Sequence, residues 1–417
     1  MDVFEEWCVR MNEKKHYVVM QINTVYPYGS TGRIAKGIQS VCQMKGITCA
    51  VAYRYREKKQ EVADDSIAIN AWLDCHIHNR LARYTLLQGY FSRLRTKRFL
   101  KKIERPDVIH LHNLHGSYIN LRLLFSYIKK NRIPVVWTLH DCWSFTGYCP
   151  YFTVRKCTKW RTGCKSCEFY IPRIPLHFDT VAKMWHDKRQ WFTGIKNMTL
   201  VTPSQWLADL VGESFLDEHT VCVINNGIDL SVFFPTDSEF RKEYGLPKEK
   251  LIVLGVAFDW GYRKGLDVFL QLANSLGDEY QIVLVGTNEK VDTQLPGNVL
   301  SIHRTNNQKE LAEIYSASDV FVNPTREDNF PTVNIESLAC GTPVITFRTG
   351  GSPEIIDESC GSVVECNDVE ALEREIIRIC NDKPYSQEAC VKRAQQFDQR
   401  EKFKEYVKLY EDMAHNE

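Results

Sequence analysis

The sequence lacks long apolar runs, an apolar leader and any sizeable net charge. No window approaches the roughly 18–20 uninterrupted apolar residues that a membrane-spanning helix needs. Residues 1–16 have no apolar core of the kind that secretory signals carry. The 417 residues have a formal net charge of +1, so overall charge gives no reason to expect a nucleic acid partner. We therefore expect a globular protein of the cytoplasm.

A regular cysteine pattern is also missing, although the chain contains fifteen cysteines. Most stand singly among apolar residues, which is typical of buried thiols in a reducing compartment. The exception is a cysteine-rich loop, residues 142–167, which contains Cys149, Cys157, Cys164 and Cys167. Four thiolates can enclose a zinc ion, and a long loop without apolar periodicity needs something to order it, so this loop predicts a structural zinc site. A set of free or redox-sensitive thiols is the alternative.

What the sequence does contain is a repeated alternation of buried strands and helices. Short runs rich in β-branched residues occur in both halves, for example at 107–112 and 134–139 and again at 251–256 and 319–323. Each is followed by a segment with helical periodicity. In a chain of 417 residues, this alternation predicts an α/β fold made of two Rossmann-like, doubly wound parallel-sheet domains.

Polar side chains follow several of these predicted strands, at the edge where parallel α/β sheets bind ligands. Two successive strands of the first half deliver His110, His112, His115 and His140. A single histidine there would usually be structural, but four together predict a polar pocket. In the second half, Arg263 and Lys264 follow a strand. They could clamp a diphosphate, although surface cations are common.

The most informative stretch is residues 319–357, DVFVNPTREDNFPTVNIESLACGTPVITFRTGGSPEIID. It predicts a buried strand and then a helix that begins near Phe330, with Asn329 as N-cap and Gly341 just past the end. The positive end of such a helix suits a phosphate. Glu336, ~10 Å further along, could accept hydrogen bonds from the hydroxyls of a ribose. The same pattern also fits an ordinary strand–helix–strand unit whose acidic residues are only solvated.

Several motifs, in their order along the chain, resemble one known family. Asp328 and Glu336 are acidic residues eight apart, followed by an A-C-G-T-P-V turn and a G-G-x-x-E loop. Earlier in the chain stand T-L-H-D, N-G-I-D followed by F-x-P, and K-G-x-D. Over residues 17–415 the sequence thus resembles the retaining GT-B glycosyltransferases of group 1 and family 4, which include sucrose synthase. It is most similar to the colanic-acid and capsular polysaccharide transferases, in which E-D-N-F-P is usual.

The resemblance implies the GT-B fold, in which two Rossmann-like domains face each other across a cleft. We expect an acceptor-side domain over residues 1–234 and a nucleotide-sugar-binding domain over 235–395. The final segment, 396–417, is expected to be a helix that returns to the first domain.

The resemblance also implies which residues contact the donor. The nucleotide diphosphate is expected to contact Gly32, Arg263, Lys264, Asn329, Phe330, Pro331, Thr332 and Glu336. Two positions depart from the family pattern. Asp328 stands where most members have Glu, and Asp259 stands where an Arg is usual, so Arg263 is expected to take over that role.

The expected catalytic set follows from the same motifs. His140 and Asp328 should meet the transferred sugar, and Arg263 and Lys264 should stabilise the leaving diphosphate. His115 and Asn113 are expected on the acceptor side. The resemblance implies no cofactor and no metal for catalysis.

These features together imply a bacterial hexosyltransferase that depends on a nucleotide sugar and acts in capsule, exopolysaccharide or O-antigen assembly. Its acceptor would be a saccharide, free or polyprenyl-linked. Two other functions stay open. One is a glycoside phosphorylase, and the other is a sugar-nucleotide-binding partner without turnover.

The segment 79–105 carries nine lysine or arginine residues and one acid, with apolar residues between them. Such a segment is usually a helix with one side toward the core and a solvated basic side. Because the resembled enzymes often use lipid-linked acceptors, it also predicts a peripheral contact with the anionic inner face of the cell membrane.

Overall fold

A computed structural model describes residues 17–55, 65–174 and 176–414. These residues form two compact units. The first unit contains the chain up to Ile224 and the segment from Phe403 onwards, and the second runs from Asn225 to Lys402.

The first unit is built on a seven-stranded parallel sheet. Its strands are β1 (Val18–Asn23), β2 (Thr48–Tyr53), β3 (Ser66–Ala68), β4 (Val108–Leu111), β5 (Val135–Thr138), β6 (Met198–Thr202) and β7 (Thr220–Val223). They lie in the order β3-β2-β1-β4-β5-β6-β7, and the pairings are parallel. The central strands are buried on both faces, which explains their nearly continuous apolar sequences.

Helices follow these strands along the chain. They are α1 (Gly29–Met44), α2 (Trp72–Thr85), α3 (Arg93–Lys102), α4 (Leu121–Asn131), α5 (Thr180–Phe192) and α6 (Gln205–Gly212). Two single turns of 3-10 helix, Cys142–Phe145 and Lys159–Arg161, lie between β5 and α5. The other described residues of that connection have no regular secondary structure.

The second unit contains a six-stranded parallel sheet. Its strands are β8 (Leu251–Val256), β9 (Tyr280–Val285), β10 (Val299–Ile302), β11 (Val320–Asn323), β12 (Val344–Phe347) and β13 (Gly361–Val364), in the order β10-β9-β8-β11-β12-β13. Its helices are α7 (Phe240–Glu243), α8 (Leu266–Ser275), α9 (Glu289–Asp292), α10 (Gln308–Ser316), α11 (Thr332–Ala339), α12 (Ser352–Ile355), α13 (Val369–Asp382) and α14 (Gln387–Ala394). Two 3-10 turns, Tyr262–Lys264 and Gln395–Phe397, complete it.

Each sheet reverses its strand order at one place. In the first sheet the reversal lies between β1 and β4, and in the second it lies between β8 and β11. Because successive connections leave such a point in opposite directions, the loops at the carboxyl ends of its two strands flank an open crevice. The fold thus provides one expected ligand site in each unit.

The division between the units falls earlier than the predicted boundary at residue 234. Ile228 and Phe233 are buried in the hydrophobic core of the second unit. The backbone N–H of Ile228 donates to the carbonyl of Phe397 at 3.0 Å, and the N–H of Gln399 donates to the carbonyl of Ile228 at 2.9 Å. This short pairing anchors residues 225–234 in the second unit.

The last helix, α15 (Gln399–Ala414), begins in the second unit, and from Phe403 onwards it belongs to the first. Its buried side chains pack against the apolar residues of β1 and α1. Gly37 is needed at this contact, since a Cβ there would lie 2.0 Å from the ring of Phe403. The segment predicted to start at residue 396 therefore joins the first unit only from Phe403.

Candidate functional site

The carboxyl ends of β4 and β5 form a shallow recess in the first unit. Its lining includes His112, Asn113, His115, His140, Asp141 and Trp143. Three of the four predicted histidines thus lie together. The prediction was wrong for His110, which lies inside β4 with no exposed surface and bonds to Tyr410 and Thr138. His110 precedes His112 by two residues and lies within the strand, where Tyr406 and Tyr410 of α15 cover its ring.

His140 is half-buried in this recess and bonds to a second histidine. Its Nε2 lies 3.2 Å from Nδ1 of His112, and the two rings are stacked with centroids 5.5 Å apart. Burial lowers the pKa of His140 to about 4 and holds the pKa of His112 well below its usual value. Both rings are therefore neutral at pH 7, and His140 can act there as a hydrogen-bonding group but not as a cation.

His115 is paired with an acidic residue of the next loop. Its Nε2 lies 3.3 Å from Oδ2 of Asp141, whose Oδ1 accepts a hydrogen bond of 2.8 Å from the backbone N–H of Trp143. Burial acts to raise the pKa of Asp141, but His115 and this N–H outweigh it and the pKa is lowered. Asn113 is fixed through its backbone, because its carbonyl accepts from the hydroxyls of Thr24 and Tyr118.

Sequence reasoning missed the residue that holds this loop in place. Lys188 of α5 is fully buried, and its Nζ donates to the carbonyls of Trp143 and Thr146 at 2.7 and 3.0 Å. The same ammonium lies 3.5 Å from the centroid of the Trp143 ring. Burial lowers the pKa of Lys188 to about 7. A lysine on an amphipathic helix gives no sequence signal of this contact, since most such lysines are solvated.

Gly32 lies in the first turn of α1, where close packing explains it. A Cβ at this position would lie 3.1 Å from the carbonyl oxygen of Val25. Glycine thus favours the close approach of the helix to the loop that precedes it. Its contact with a nucleotide stays a prediction.

In the second unit, two cations and a carboxylate meet at the reversal point between β8 and β11. Lys264 Nζ lies 2.5 Å from Oδ2 of Asp328, and Nη1 of Arg263 donates to the carbonyl of Glu327 at 3.1 Å. Gly265 allows this, because its φ is +76° and a Cβ there would lie 2.6 Å from the carbonyl oxygen of Pro324. The predicted diphosphate ligands and the predicted sugar ligand therefore belong to one cluster.

Arg326 joins the two loops of this cluster and was also missed. It makes two hydrogen bonds to Asp267, of 2.8 and 2.7 Å, and one of 2.6 Å to Oδ1 of Asn367. It also donates to the carbonyl of Tyr262, and its guanidinium lies 3.9 Å from the centroid of that ring. The sequence signal that could have indicated Arg326 is Asp267, the aspartate of K-G-x-D, because a carboxylate at a strand-to-helix turn calls for a cationic partner.

The helix after β11 begins later than predicted. The N-cap residue of α11 is Pro331 rather than Asn329, and no side chain caps the helix. Asn329 instead donates its N–H to Oδ1 of Asp328 at 2.9 Å, and its carbonyl accepts from the N–H of Gly351 at 3.0 Å. Asn329 is therefore held in the preceding loop. An uncapped helix start leaves positive backbone dipoles available for an anion.

The remaining predicted donor residues flank the start of α11. Phe330 is buried and packs on Phe397, so only its backbone can reach a ligand. Thr332 is the first residue of the helix. Glu336 lies four residues further on, about 6 Å along the axis, which is less than the predicted separation. Its Oε2 accepts from the hydroxyl of Tyr315 at 3.4 Å.

The cysteine-rich loop surrounds a cavity of about 220 Å³. Cys149, Cys157, Cys164 and Cys167 all line it, together with aromatic side chains. Burial raises the pKa of Cys149 to about 11 and of Cys164 to about 12. Within residues 17–55, 65–174 and 176–414, no three His, Cys, Asp or Glu side chains are grouped as metal ligands. The four cysteines share one cavity, and the zinc site stays a prediction.

The basic segment 79–105 is divided between two helices instead of forming one. It spans the end of α2 and the whole of α3, and Leu86 and Phe99 point into the core. An exposed apolar stripe lies on α2 and overlaps the start of this segment; it is formed by Leu73, Ile77 and Leu81. Among the helices described, none is long and apolar enough to cross a bilayer.

Family comparisons match both units of the chain. The model "Glycosyltransferase Family 4" covers residues 43–232, and "Glycosyl transferases group 1" covers residues 236–397. Together the two models account for most of the sequence. The chain belongs to these glycosyltransferases. The order of the matches agrees with the motif resemblance, and the two parallel sheets confirm the predicted GT-B class.

Relatives of this glycosyltransferase include polysaccharide enzymes. It is 28% identical over 292 residues to the colanic acid biosynthesis glycosyl transferase WcaC of Escherichia coli K12, covering 68% of this chain and 69% of that one. It is 26% identical over 215 residues to an N,N'-diacetylbacillosaminyl-diphospho-undecaprenol alpha-1,3-N-acetylgalactosaminyltransferase of Campylobacter jejuni, covering 48% and 57%.

Solved structures share the fold of this glycosyltransferase at low sequence identity. The sucrose-phosphate synthase of Thermosynechococcus elongatus aligns with a TM-score of 0.69 and 17% identity, covering 96% of this chain and 100% of that one. The Anabaena protein HepE, in complex with UDP and glucose, aligns with a TM-score of 0.63 and 13% identity, covering 95% and 100%.

Proposed function

We propose that this glycosyltransferase is a retaining hexosyltransferase that uses a nucleotide diphosphate sugar and builds a surface polysaccharide. One observation carries the proposal. Two cations, a carboxylate and an uncapped helix start meet at the reversal point between β8 and β11. A diphosphate ester suits such a set, because its negative charge is spread over several oxygens.

Different residues of the second unit contact different parts of the donor. Lys264 and Arg263 neutralise the diphosphate as its bond to the sugar breaks. The backbone of residues 329–332 adds the positive end of α11. Glu336, on the same helix, accepts hydrogen bonds from the ribose hydroxyls.

The pair between Lys264 and Asp328 suggests how the sugar is oriented. An ammonium group has three donors, so Lys264 can hold Asp328 and a phosphate oxygen at once. Asp328 would then lie beside the diphosphate, where its carboxylate can accept from a hydroxyl of the attached sugar. Asp328 thus provides a carboxylate at this position, as the family's usual glutamate does, on a side chain that is shorter by one methylene.

The first unit would contact the sugar and the acceptor. His140 is neutral and accepts from a sugar hydroxyl, while His115, paired with Asp141, and Asn113 contact the acceptor. We propose a saccharide or polyprenyl-linked acceptor, supported by the names of the relatives in E. coli and C. jejuni. The retaining course and the hexose donor are proposed from the motif resemblance.

A polyprenyl-linked acceptor would place the enzyme at the inner face of the cell membrane. Leu73, Ile77 and Leu81 stand four residues apart on one face of α2 and are 62%, 49% and 40% exposed. Helices α2 and α3 also carry exposed cations: Arg80, Arg83, Arg93, Lys97, Arg98, Lys101 and Lys102. An apolar stripe in a part of the chain rich in exposed cations suits a surface of anionic lipid.

A donor panel tests the nucleotide assignment. UDP-, GDP-, ADP- and dTDP-sugars are compared by thermal shift, and a ligand at about 100 times its Kd should stabilise by about 2.7 kcal/mol. Glu336→Ala and Lys264→Ala should abolish the shift. The exposed-residue controls Glu358→Ala and Lys290→Ala should keep it. A shift that survives in Glu336→Ala and Lys264→Ala would place the nucleotide elsewhere.

Turnover separates the proposed function from its rivals. Transfer of sugar from the stabilising donor, with the anomeric configuration kept in the product, supports a retaining transferase. Phosphate-dependent breakdown of an oligosaccharide, with no effect of nucleotide, would instead indicate a phosphorylase. Donor binding with neither transfer nor slow hydrolysis would indicate a binding partner without turnover.

Vesicle sedimentation tests the membrane contact. The protein should sediment with vesicles that contain phosphatidylglycerol and remain in solution with pure phosphatidylcholine. Leu73→Ser combined with Ile77→Ser should release it, and Ile377→Ser, at a partly exposed position of α13, should not. Equal sedimentation of the double variant and the control would reject the stripe as the contact.

A further inference from the structure

His140 ends a line of three hydrogen-bonded side chains, one from β1 and two from the loops that follow β4 and β5. His140 Nε2 is 3.2 Å from His112 Nδ1, and His112 Nε2 is 3.0 Å from Oε1 of Gln21. Gln21 and His112 are 0% and 1% exposed. A buried line of this kind restricts where each proton can be, because no water is available to replace a lost partner.

The amide of Gln21 is oriented by its own contacts. Its Nε2 donates to the carbonyl of Ala35 at 2.9 Å and lies 3.2 Å from Sγ of Cys49. A carbonyl can only accept, so the NH2 group must face Ala35. The amide oxygen of Gln21 is therefore the atom that faces His112.

This orientation determines the tautomer of both histidines. Oε1 of Gln21 accepts only, so Nε2 of His112 must carry the proton. His112 is neutral, which leaves the lone pair on its Nδ1. Nε2 of His140 must therefore donate to that lone pair. His140 is neutral as well, so its second nitrogen, Nδ1, carries a lone pair.

We propose that Gln21 and His112 are positioning residues that fix His140 as an acceptor through Nδ1. The group that His140 recognises is then a hydroxyl that donates a hydrogen bond, and not a phosphate or other anion. The recognition of a sugar hydroxyl rests on the proposed function, whereas the tautomer of His140 does not.

A second buried layer keeps the line neutral. The ring of His110 lies against His112 with centroids 3.9 Å apart. Its Nε2 bonds to Oγ1 of Thr138 at 2.8 Å, and its Nδ1 bonds to the hydroxyl of Tyr410. Protonated His112 would lie against two other histidine rings, and neither of its hydrogen-bond partners, His140 and Gln21, is a carboxylate that could balance the charge. Charging His112 is thus disfavoured, and its tautomer stays fixed.

Nitrogen-15 NMR of the histidine rings tests the tautomer without any substrate. In the wild type, with His140→Asn used for assignment, we expect the proton of His140 on Nε2. Gln21→Met removes the acceptor at similar size and should give a mixture of tautomers at His112 and His140. The matched control is Gln39→Met, which removes another buried glutamine that bonds to the carbonyl of Cys49. The control should leave both tautomers unchanged.

A proton on Nδ1 of His140 in the wild type would overturn the proposal even if Gln21→Met fails to fold. Unchanged tautomers in a folded Gln21→Met variant would overturn it too. In the transfer assay, Gln21→Met should lower kcat by roughly 10-fold, the lower end of the range known for residues that orient metal-binding histidines. The KM for the donor nucleotide should not change, because the second unit binds it. If the tautomers respond as expected while no donor is ever used, the hydrogen-bonded line stands and the proposed function fails.

Discussion

Replacing Arg326 by methionine should loosen the cluster that we assign to the donor diphosphate. Arg326 connects the turn before α8 to the loop after β11 through Asp267, the carbonyl of Tyr262 and Asn367. Methionine keeps much of the volume and removes all of these bonds. The backbone N–H of residue 326 donates to the carbonyl of Arg263 at 2.8 Å, and this bond remains in the variant. Lys264 and Asp328 stand on the two connected segments, so we expect their pairing to be weakened but not abolished.

The size of the effect follows from burial. The Arg326 side chain is 6% exposed and that of Asp267 is 38% exposed. A net hydrogen bond contributes about 1 kcal/mol, and the two bonds to the partly solvated Asp267 are discounted for screening. We therefore expect a loss of about 2–4 kcal/mol. For a unit of this size, that corresponds to a fall of roughly 5–15 °C in Tm.

Scanning calorimetry measures this loss, and hydrogen exchange locates it. We expect faster exchange at residues 261–266 and a smaller thermal shift with the best donor. Arg304→Met, at an exposed arginine, is the matched control and should change neither. If Arg326→Met unfolds at the temperature of the control and exchanges at the same rate, the loops do not depend on Arg326 and our account of the cluster is wrong.

Three further predictions concern other parts of the chain. Gly350 has a φ of +54°, and a Cβ there would lie 1.7 Å from the carbonyl oxygen of Asp328. Gly350→Ala should therefore abolish the donor-induced thermal shift. The control Gly297→Ala, at a position where a Cβ has no neighbour within 4 Å, should retain the shift. Burial lowers the pKa of Lys188 from 10.5 to about 7. Between pH 7 and 10.5 the unfolded chain therefore binds more protons than the folded one. The free energy of unfolding should rise with pH in this range, by up to about 1.4 kcal/mol per pH unit. Denaturant titrations of Lys188→Met should lack this rise relative to wild type, and parallel pH profiles of the two proteins would refute the shift. The zinc prediction for the cysteine-rich loop requires about one zinc per chain by elemental analysis; a much lower content would reject it and leave four free thiols.

Much of the fold could be predicted from the sequence because it depends on short-range patterns. Buried parallel strands are continuous apolar runs, and each is followed by a helix with its own periodicity. The carboxyl ends of such strands share one edge, where ligands bind, but the assignment of Arg263, Lys264 and Asp328 to one donor site rested on the resemblance of the motifs. The resemblance of the motifs then indicated the family, and the family matches agree with it.

Tertiary structure alone decided which side chains contact one another. Arg326, Lys188 and Gln21 have partners far away in the sequence, and no periodicity reveals them. The N-cap of α11 is Pro331 instead of the predicted Asn329, because contacts with Asp328 and Gly351 hold Asn329 in the preceding loop. The sequence therefore determined which strands and motifs exist and roughly where a ligand binds. The partners and protonation of the buried polar groups depend on contacts across the sheet, which exist only once the chain has folded.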